Sequence, residues 1–309
     1  MIKILPWLFL LCLGAGCGKS KETDNEWNRL ARFMAGLPQS QPGEFTPLEG
    51  EHWQEYRKRF DDSWQSMQES RLQKMESFAR AEIPAGYTDL FYPFSGPDTL
   101  SATTFFPDFE RAVFIGLEPI GRVREVVQDS EPMRRAHLEA VLASLRDLIQ
   151  RSYFITLHMM GDLRAGRAEG VLPVMMVLLV RSGFTIEDVK RVYIERNGQL
   201  LEHPYTPYPA GIKISFRSAK GKRHEIHYFQ QNLADSHLSN NEGFSLFIKS
   251  LKQPACFTKS ASYLMHYGEF QTIRKLLFEQ CRFILQDDTG IALRYYDQSW
   301  EHKLYGEYA

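Results

Sequence analysis

Cysteine is scarce in this chain, with 4 in 309 residues, and neither charge sign dominates: 37 Lys and Arg stand against 38 Asp and Glu, for a net charge of −1. The first fact excludes a small scaffold held by many disulfides. The second removes the basic footprint that nucleic-acid binding requires, so no nucleic-acid partner is expected. Glycine (21) and proline (15) are too few for collagen-like or low-complexity chains. Two apolar runs stand out, Ile4–Ala15 and Val171–Val180, and both fall short of the ~20 residues needed to cross a bilayer. There is no GxxxxGK[ST] phosphate loop, no CxxC pair, and no glycine two residues before Ser95 to make a hydrolase elbow. No cofactor and no metal is implied by any motif.

What is present belongs to a folded protein: 43% hydrophobic, 13% aromatic and 24% charged residues. The first seventeen residues, MIKILPWLFLLCLGAGC, place a positive charge at Lys3 ahead of a twelve-residue apolar run. Small residues Gly14, Ala15 and Gly16 follow, then Cys17. A charged start, a short apolar run and a small-residue end make an export signal. The arrangement resembles the lipobox of bacterial lipoproteins. That resemblance implies a signal peptide over 1–16, diacylation of Cys17 and a lipidated tether over 17–26. It further implies export and anchoring to a bacterial membrane through the N-terminal lipid, with Gly18 in place of an inner-membrane Asp favouring the periplasmic face of the outer membrane. Two acyl chains hold such a protein stably, at ~0.8 kcal/mol per buried CH₂. With Cys12 in the signal and Cys17 acylated, only Cys256 and Cys281 remain. An oxidising compartment permits a bridge between them; two buried thiols are the alternative.

Periodicity organises the rest. Trp27, Leu30, Phe33, Met34 and Leu37 recur at helical spacing, and Trp53, Tyr56, Phe60, Trp64, Met67, Leu72, Met75 and Phe78 predict a long amphipathic helix over 52–83. Residues 27–84 are therefore a helical segment ahead of an α/β domain spanning 85–309. Pro132 opens a helix expected to run to about Met160, and Val171–Val180 is expected as a buried helix. Strand signals return at Val189–Ile194 with Leu200-Leu201 across an Asn197-Gly198 turn. They recur in GIKISFR and the arm after Gly221, which predicts antiparallel hairpins. Helix is expected over Phe257–Phe278, and strands over Arg282–Gln286 and Ile291–Tyr296.

The stretch 89–118 carries the strongest functional hint. Asp89–Phe94 is a short strand-like run ending at Ser95-Gly96-Pro97, Asp98 caps a helix through Phe106, and AVFIGL (112–117) is a second strand. Strand, turn, helix, strand is a parallel βαβ unit, and the expected fold is α/β, a Rossmann-like mixed sheet with an antiparallel portion, preceded by a helical segment. The unit resembles the first motif of class I S-adenosylmethionine-dependent methyltransferases, over about thirty residues. The resemblance implies that the turn at Ser95, Gly96 and Asp98 meets a ligand and that Glu118, 22 residues after Gly96, accepts from its hydroxyls. Glycine and proline at such a turn also serve a fold with no ligand at all.

Two further motifs carry less. Asp287-Asp288-Thr289-Gly290 holds an Asp-Thr-Gly triplet, but aspartic-protease chemistry needs two such aspartates and the chain has one. His224 and His227 lie three apart in a predicted strand, so they face opposite ways, share no metal and are expected to be exposed. The sequence thus points to an envelope lipoprotein whose body binds a small molecule or an envelope protein, or serves structurally. The alternative is an enzyme using a pocket near Ser95, Gly96, Asp98 and Glu118.

Overall fold

The computed structural model describes residues 25–122, 126–203, 211–296 and 300–306. The signal-like run and Cys17 lie outside the described residues. Helix α1 (Glu26–Met34) is followed by α2 (Glu51–Met67) and α3 (Gln73–Glu82), joined by a π-helical turn at Gln68–Leu72. Strand β1 (Asp89–Tyr92), α4 (Thr99–Phe105) and β2 (Arg111–Gly116) make the parallel βαβ unit. Next come α5 (Glu131–Ser144), α6 (Arg146–Arg151), α7 (Thr156–Ala165) and α8 (Leu172–Arg181), where one long helix was expected from Pro132. Ser152 ends α6 in the left-handed conformation, with φ 72°, which turns the chain out of the helix.

Strands β3 (Thr185–Ile194), β4 (Leu200–Glu202), β5 (Gly211–Arg217) and β6 (Arg223–Gln230) form the antiparallel portion. Helices α9 (Asp235–Leu238) and α10 (Glu242–Lys249) lead to β7 (Ala255–Thr258). Two short 3₁₀ segments, α11 (Gln271–Gln280), β8 (Phe283–Gln286) and β9 (Glu301–Leu304) complete the chain. Two expectations fail here. The helix expected over Phe257–Phe278 begins only at Gln271, and Phe257 and Thr258 belong to strand β7, because a four-residue apolar run has no period to distinguish the two. The last strand is not Ile291–Tyr296, which contains a 3₁₀ turn, but the polar EHKL at 301–304.

Among the described residues, all nine strands join one mixed sheet in the order β4-β3-β5-β6-β2-β1-β7-β8-β9. From β6 to β9 the pairing is parallel. The central strands are buried along their whole length, as expected of strands covered on both faces. Both edges are short, three residues in β4 and four in β9, and β9 carries charge, which blunts edge-to-edge pairing.

Side chains alternate between two apolar layers. Leu90, Tyr92, Phe114, Tyr228, Phe257 and Leu285 face the layer built from α1 to α8, in which α8 is buried from Leu172 to Val180. Phe91, Val113, Ile115, Phe229, Cys256 and Ile284 face α9, α10 and α11. A register shift between Ile186 and Asp188 moves β3 across the sheet: Ile186 faces the first layer, Val192 and Ile194 the second. The N-terminal helices are part of the first layer. Trp53, Tyr56 and Phe60 are fully buried, at roughly 2–3 kcal/mol of burial each. The indole of Trp53 donates to the Phe33 carbonyl, and Asn25 and Asn28 bond the backbone of β3.

His224 and His227 do face opposite layers, but neither is exposed. His224 stacks on Phe216 beside Phe109 and Phe184, and His227 packs near Phe247. Flanking strands and helices cover both faces of β6, which a strand read in isolation cannot reveal.

Candidate functional site

The chain steps from β1 to β2 on one side of the sheet, then returns with β7 to the other side of β1 and continues outward through β8 and β9. Its direction of travel therefore reverses between β1 and β7. Open α/β sheets form a crevice at the carboxyl ends of strands at such a point, because the two outgoing loops leave in opposite directions. Two cavities open there, one of about 610 Å³ and one of about 170 Å³, and Phe154, Ser260 and Ala261 line both.

The loop after β1 carries the residues singled out in the sequence, and the fold brings them together around the smaller cavity. Ser95, Gly96, Asp98 and Glu118 all line it. Gly96 adopts φ +50°, which suits glycine, and a Cβ there would lie 3.7 Å from both Glu118 carboxylate oxygens. Gly116 is stricter: its Cβ would fall 2.5 Å from Glu118 Oε2 and from the Tyr228 hydroxyl. Glu118 is buried, accepting from the Thr156 hydroxyl at 2.6 Å and, weakly, from the Tyr228 hydroxyl at 3.4 Å. Tyr228 donates more closely, at 2.8 Å, to the Glu118 carbonyl. Burial, then the nearby Glu118 charge, pushes the Tyr228 phenol well above its ordinary pKa, so it remains a donor.

Ser95 and Asp98 are turned to other tasks. The Ser95 hydroxyl donates to the Ile115 carbonyl at 3.2 Å. Asp98 caps α4 by accepting from the Ser101 amide at 3.0 Å, and takes a bond from the Tyr92 hydroxyl at 3.1 Å. Its main partner is Lys259, just past β7, at 2.7 Å; both side chains are under one-tenth exposed. Lys259 also donates to Ser101 at 2.8 Å. This buried pair ties the loop after β1 to the loop after β7 across the reversal point.

The larger cavity brings Arg71, which no motif indicated, together with the Asp-Thr-Gly turn. Arg71 comes from the π-helical turn, a local irregularity that recurs at functional sites. Its guanidinium donates to the Leu148 and Ile149 carbonyls at 2.8 and 2.9 Å and to the Ser152 hydroxyl. Asp287, from the Asp-Thr-Gly turn, also lines the cavity. Burial raises its carboxyl above the usual range, against the pull of Thr289 and Lys259. Among the described residues no second Asp-Thr-Gly aspartate faces it, and no group of three or more His, Cys, Asp or Glu is arranged to hold a metal.

Backbone strain concentrates here too. Five described non-glycine residues have positive φ, and three line these cavities: Phe94 (58°), Ser152 (72°) and Ser260 (60°). Such conformations cost of order 1–3 kcal/mol each and cluster at ligand sites. Ser260 and Lys259 were invisible in the sequence because β7 was read as helix. A recognised strand ending in Lys-Ser-Ala-Ser would have marked them.

Cys256 on β7 and Cys281 at the end of α11 are both buried, as free thiols. Burial, with the Cys281 thiol beside it, pushes the Cys256 thiol well above its ordinary pKa. No helix among the described residues is long and apolar enough to cross a membrane. Comparison with known proteins finds no matching family, no matching curated protein and no matching solved structure.

Proposed function

We propose that this protein is a lipid-anchored bacterial envelope protein whose body binds a small organic molecule without transforming it. The anchoring half rests on the export signal and Cys17. The binding half rests on one observation: two cavities meet at the strand ends where the sheet reverses direction, sharing Phe154, Ser260 and Ala261. Buried polar groups and strained backbone gather at the same place, a combination typical of small-molecule sites. The Rossmann-like framework supplies the crevice, while the ligand is chosen by the side chains that line it.

A catalytic reading has one feature in its favour. Ser260 follows a parallel strand with φ +60° and faces both cavities, the placement a serine nucleophile adopts at a strand-to-helix turn.

Native mass spectrometry of the full-length protein extracted in mild detergent tests the binding half. A co-purifying small molecule is the expected result, and a mass equal to the lipidated polypeptide alone at every gentle setting would count against it. For the anchor, Cys17→Ser should release the protein from membranes or leave an uncut precursor. Unchanged mass and fractionation in that variant would rule out lipidation.

A further inference from the structure

Glu118 has a carboxylate problem that the protein does not solve by itself. Its side chain is 6% exposed, yet among the described residues it has no cationic partner. Two hydroxyls, from Thr156 and Tyr228, are its hydrogen-bond donors. A buried carboxylate is costly unless it is paired as well as hydrogen-bonded. Lys259, at the end of β7, is committed to Asp98 and Ser101. Asp98, which lines the same cavity, has its counter-ion, and Glu118 faces the cavity with none among the described residues.

The cavity beside Glu118 has the complementary character. Its walls include Phe94, Phe154 and Phe270, with Leu233 and Leu264 between them. Phe94 and Phe270 meet edge to face at 5.8 Å, which fixes both rings. Aromatic faces attract cations, and most strongly where water is excluded. Gly96 and Gly116 carry no side chain that would cover the carboxylate, and a Cβ on Gly116 would collide with it. A volume of about 170 Å³ limits the occupant to a handful of heavy atoms, below the ~300 Å³ at which ordinary ligand pockets begin. A metal ion fits poorly, since among the described residues no group of three or more His, Cys, Asp or Glu is placed to hold one.

We propose that the smaller cavity is a site for a small organic ammonium ion, whose charge pairs with Glu118 and whose methylene or methyl groups pack on Phe94, Phe154 and Phe270. This rests on the cavity being a ligand site, and it adds the charge and size of the ligand. The ammonium completes the pairing that the fold leaves open, and the rings of Phe94, Phe154 and Phe270 favour an ion that carries its own apolar groups over a hydrated inorganic one. It also differs from the nucleoside that the βαβ resemblance implies: a carboxylate holding ribose hydroxyls would bind neutral diols, and the cavity is too small for an adenosyl group.

Choline and its uncharged isostere 3,3-dimethylbutan-1-ol are the probes, titrated calorimetrically into the full-length protein in detergent. Choline should bind saturably and the isostere at least tenfold more weakly. Glu118→Gln should weaken choline at least tenfold, and Phe270→Leu severalfold. If Glu118→Gln fails to fold, the isostere pair and Phe270→Leu decide the matter. Equal affinity for choline and the isostere would overturn the charge assignment and leave the cavity a ligand site. A protein silent to choline that nevertheless carries a neutral co-purified molecule would overturn the ammonium class alone. Silence to both probes with nothing co-purified would overturn this inference and the wider binding reading together.

Discussion

The two halves of the sheet handle charge in opposite ways. In the antiparallel half, Lys190, Lys213 and Glu202 form a ladder across β3, β5 and β4, with Lys190 and Glu202 nearly half exposed. In the parallel half, Asp98 and Lys259 are buried together at the strand ends, and Glu118 is buried with no counter-ion among the described residues. Hairpins leave one face of their strands near water, so charges there stay hydrated and their pairing matters little. Parallel strands need crossovers that cover both faces, so a charge at their ends is desolvated and its partner matters greatly. Function is therefore sought where charge is expensive to keep.

That contrast can be broken most directly by removing one cation from each half. Lys259→Met strands Asp98 in the interior and should cost about 3–5 kcal/mol, the usual penalty for breaking a buried pair. Lys190→Met should leave the urea midpoint nearly unchanged, because its partners remain in water. Similar losses in the two variants would dissolve the distinction.

A second variant addresses the glycine under Glu118. Gly116→Ala places a methyl group into the Glu118 carboxylate and the Tyr228 hydroxyl, and overpacking of this kind costs about 1–3 kcal/mol. Gly183→Ala probes the opposite situation, with nothing within 4 Å of the added atom but a φ of +83°, so it reads backbone strain alone. Denaturant curves for both, with choline binding measured on the first, separate steric from conformational cost. Binding that survives Gly116→Ala unchanged would show that the carboxylate does not contact the ligand.

The buried histidines of β6 give a pH-dependent comparison between its two faces. Burial lowers the pKa of His224 and of His227 below the ordinary 6.5. For His224 the Phe109 carbonyl pulls the other way, and Lys222, Asp108 and Glu110 add smaller effects; for His227 Glu225 opposes burial, with Arg111 and Lys213 nearby. The unfolded chain then takes up protons first as pH falls. Stability contributed by the neutral rings is complete above about pH 6.5 and is lost as pH drops toward the folded values. Urea midpoints should decline from pH 7 to pH 5, and less steeply in His227→Leu. An identical slope in that variant would remove His227 from the account.

Two smaller effects sharpen the picture on the helical side. A non-reducing digest of exported protein decides between the two states of Cys256 and Cys281: one cross-linked peptide pair if they bridge, two thiols that alkylate after denaturation without reductant if they stay free as in this structure. Titration with S-adenosylmethionine or S-adenosylhomocysteine should give no heat, since the cavity beside Gly96 and Glu118 is about 170 Å³. Saturable micromolar binding lost in Glu118→Ala would restore the nucleoside reading.

Apolar periodicity located helices better than it bounded them: the stretch expected as one helix from Pro132 to about Met160 is α5, α6 and α7. The aromatic stripe from Trp53 to Phe78 is one continuous helical stretch, interrupted in hydrogen-bond pattern alone by the π turn. The parallel βαβ unit over 89–116 and both hairpins were equally legible, because strand alternation and Asn-Gly or Lys-Gly turns are local signals. Gly96 and Glu118 were legible as a pair because the turn and the second strand set their separation. Local sequence could not say which strand would lie beside β1. The partner is β7, whose Ala255 pairs with Leu90 from 165 residues further along the chain and which is encoded by four residues with no period, and its arrival creates the reversal, the Asp98–Lys259 pair and both cavities. Nor could it say that β9 is a strand, since EHKL has no apolar face and is held by the ladder to β8. Short-range patterns determined the elements and the composition determined a folded, near-neutral chain. The burial of His224 and His227, the pairing of Asp98 and the isolation of Glu118 were decided by which elements met, because desolvation is a property of the assembled layers and not of any residue in them.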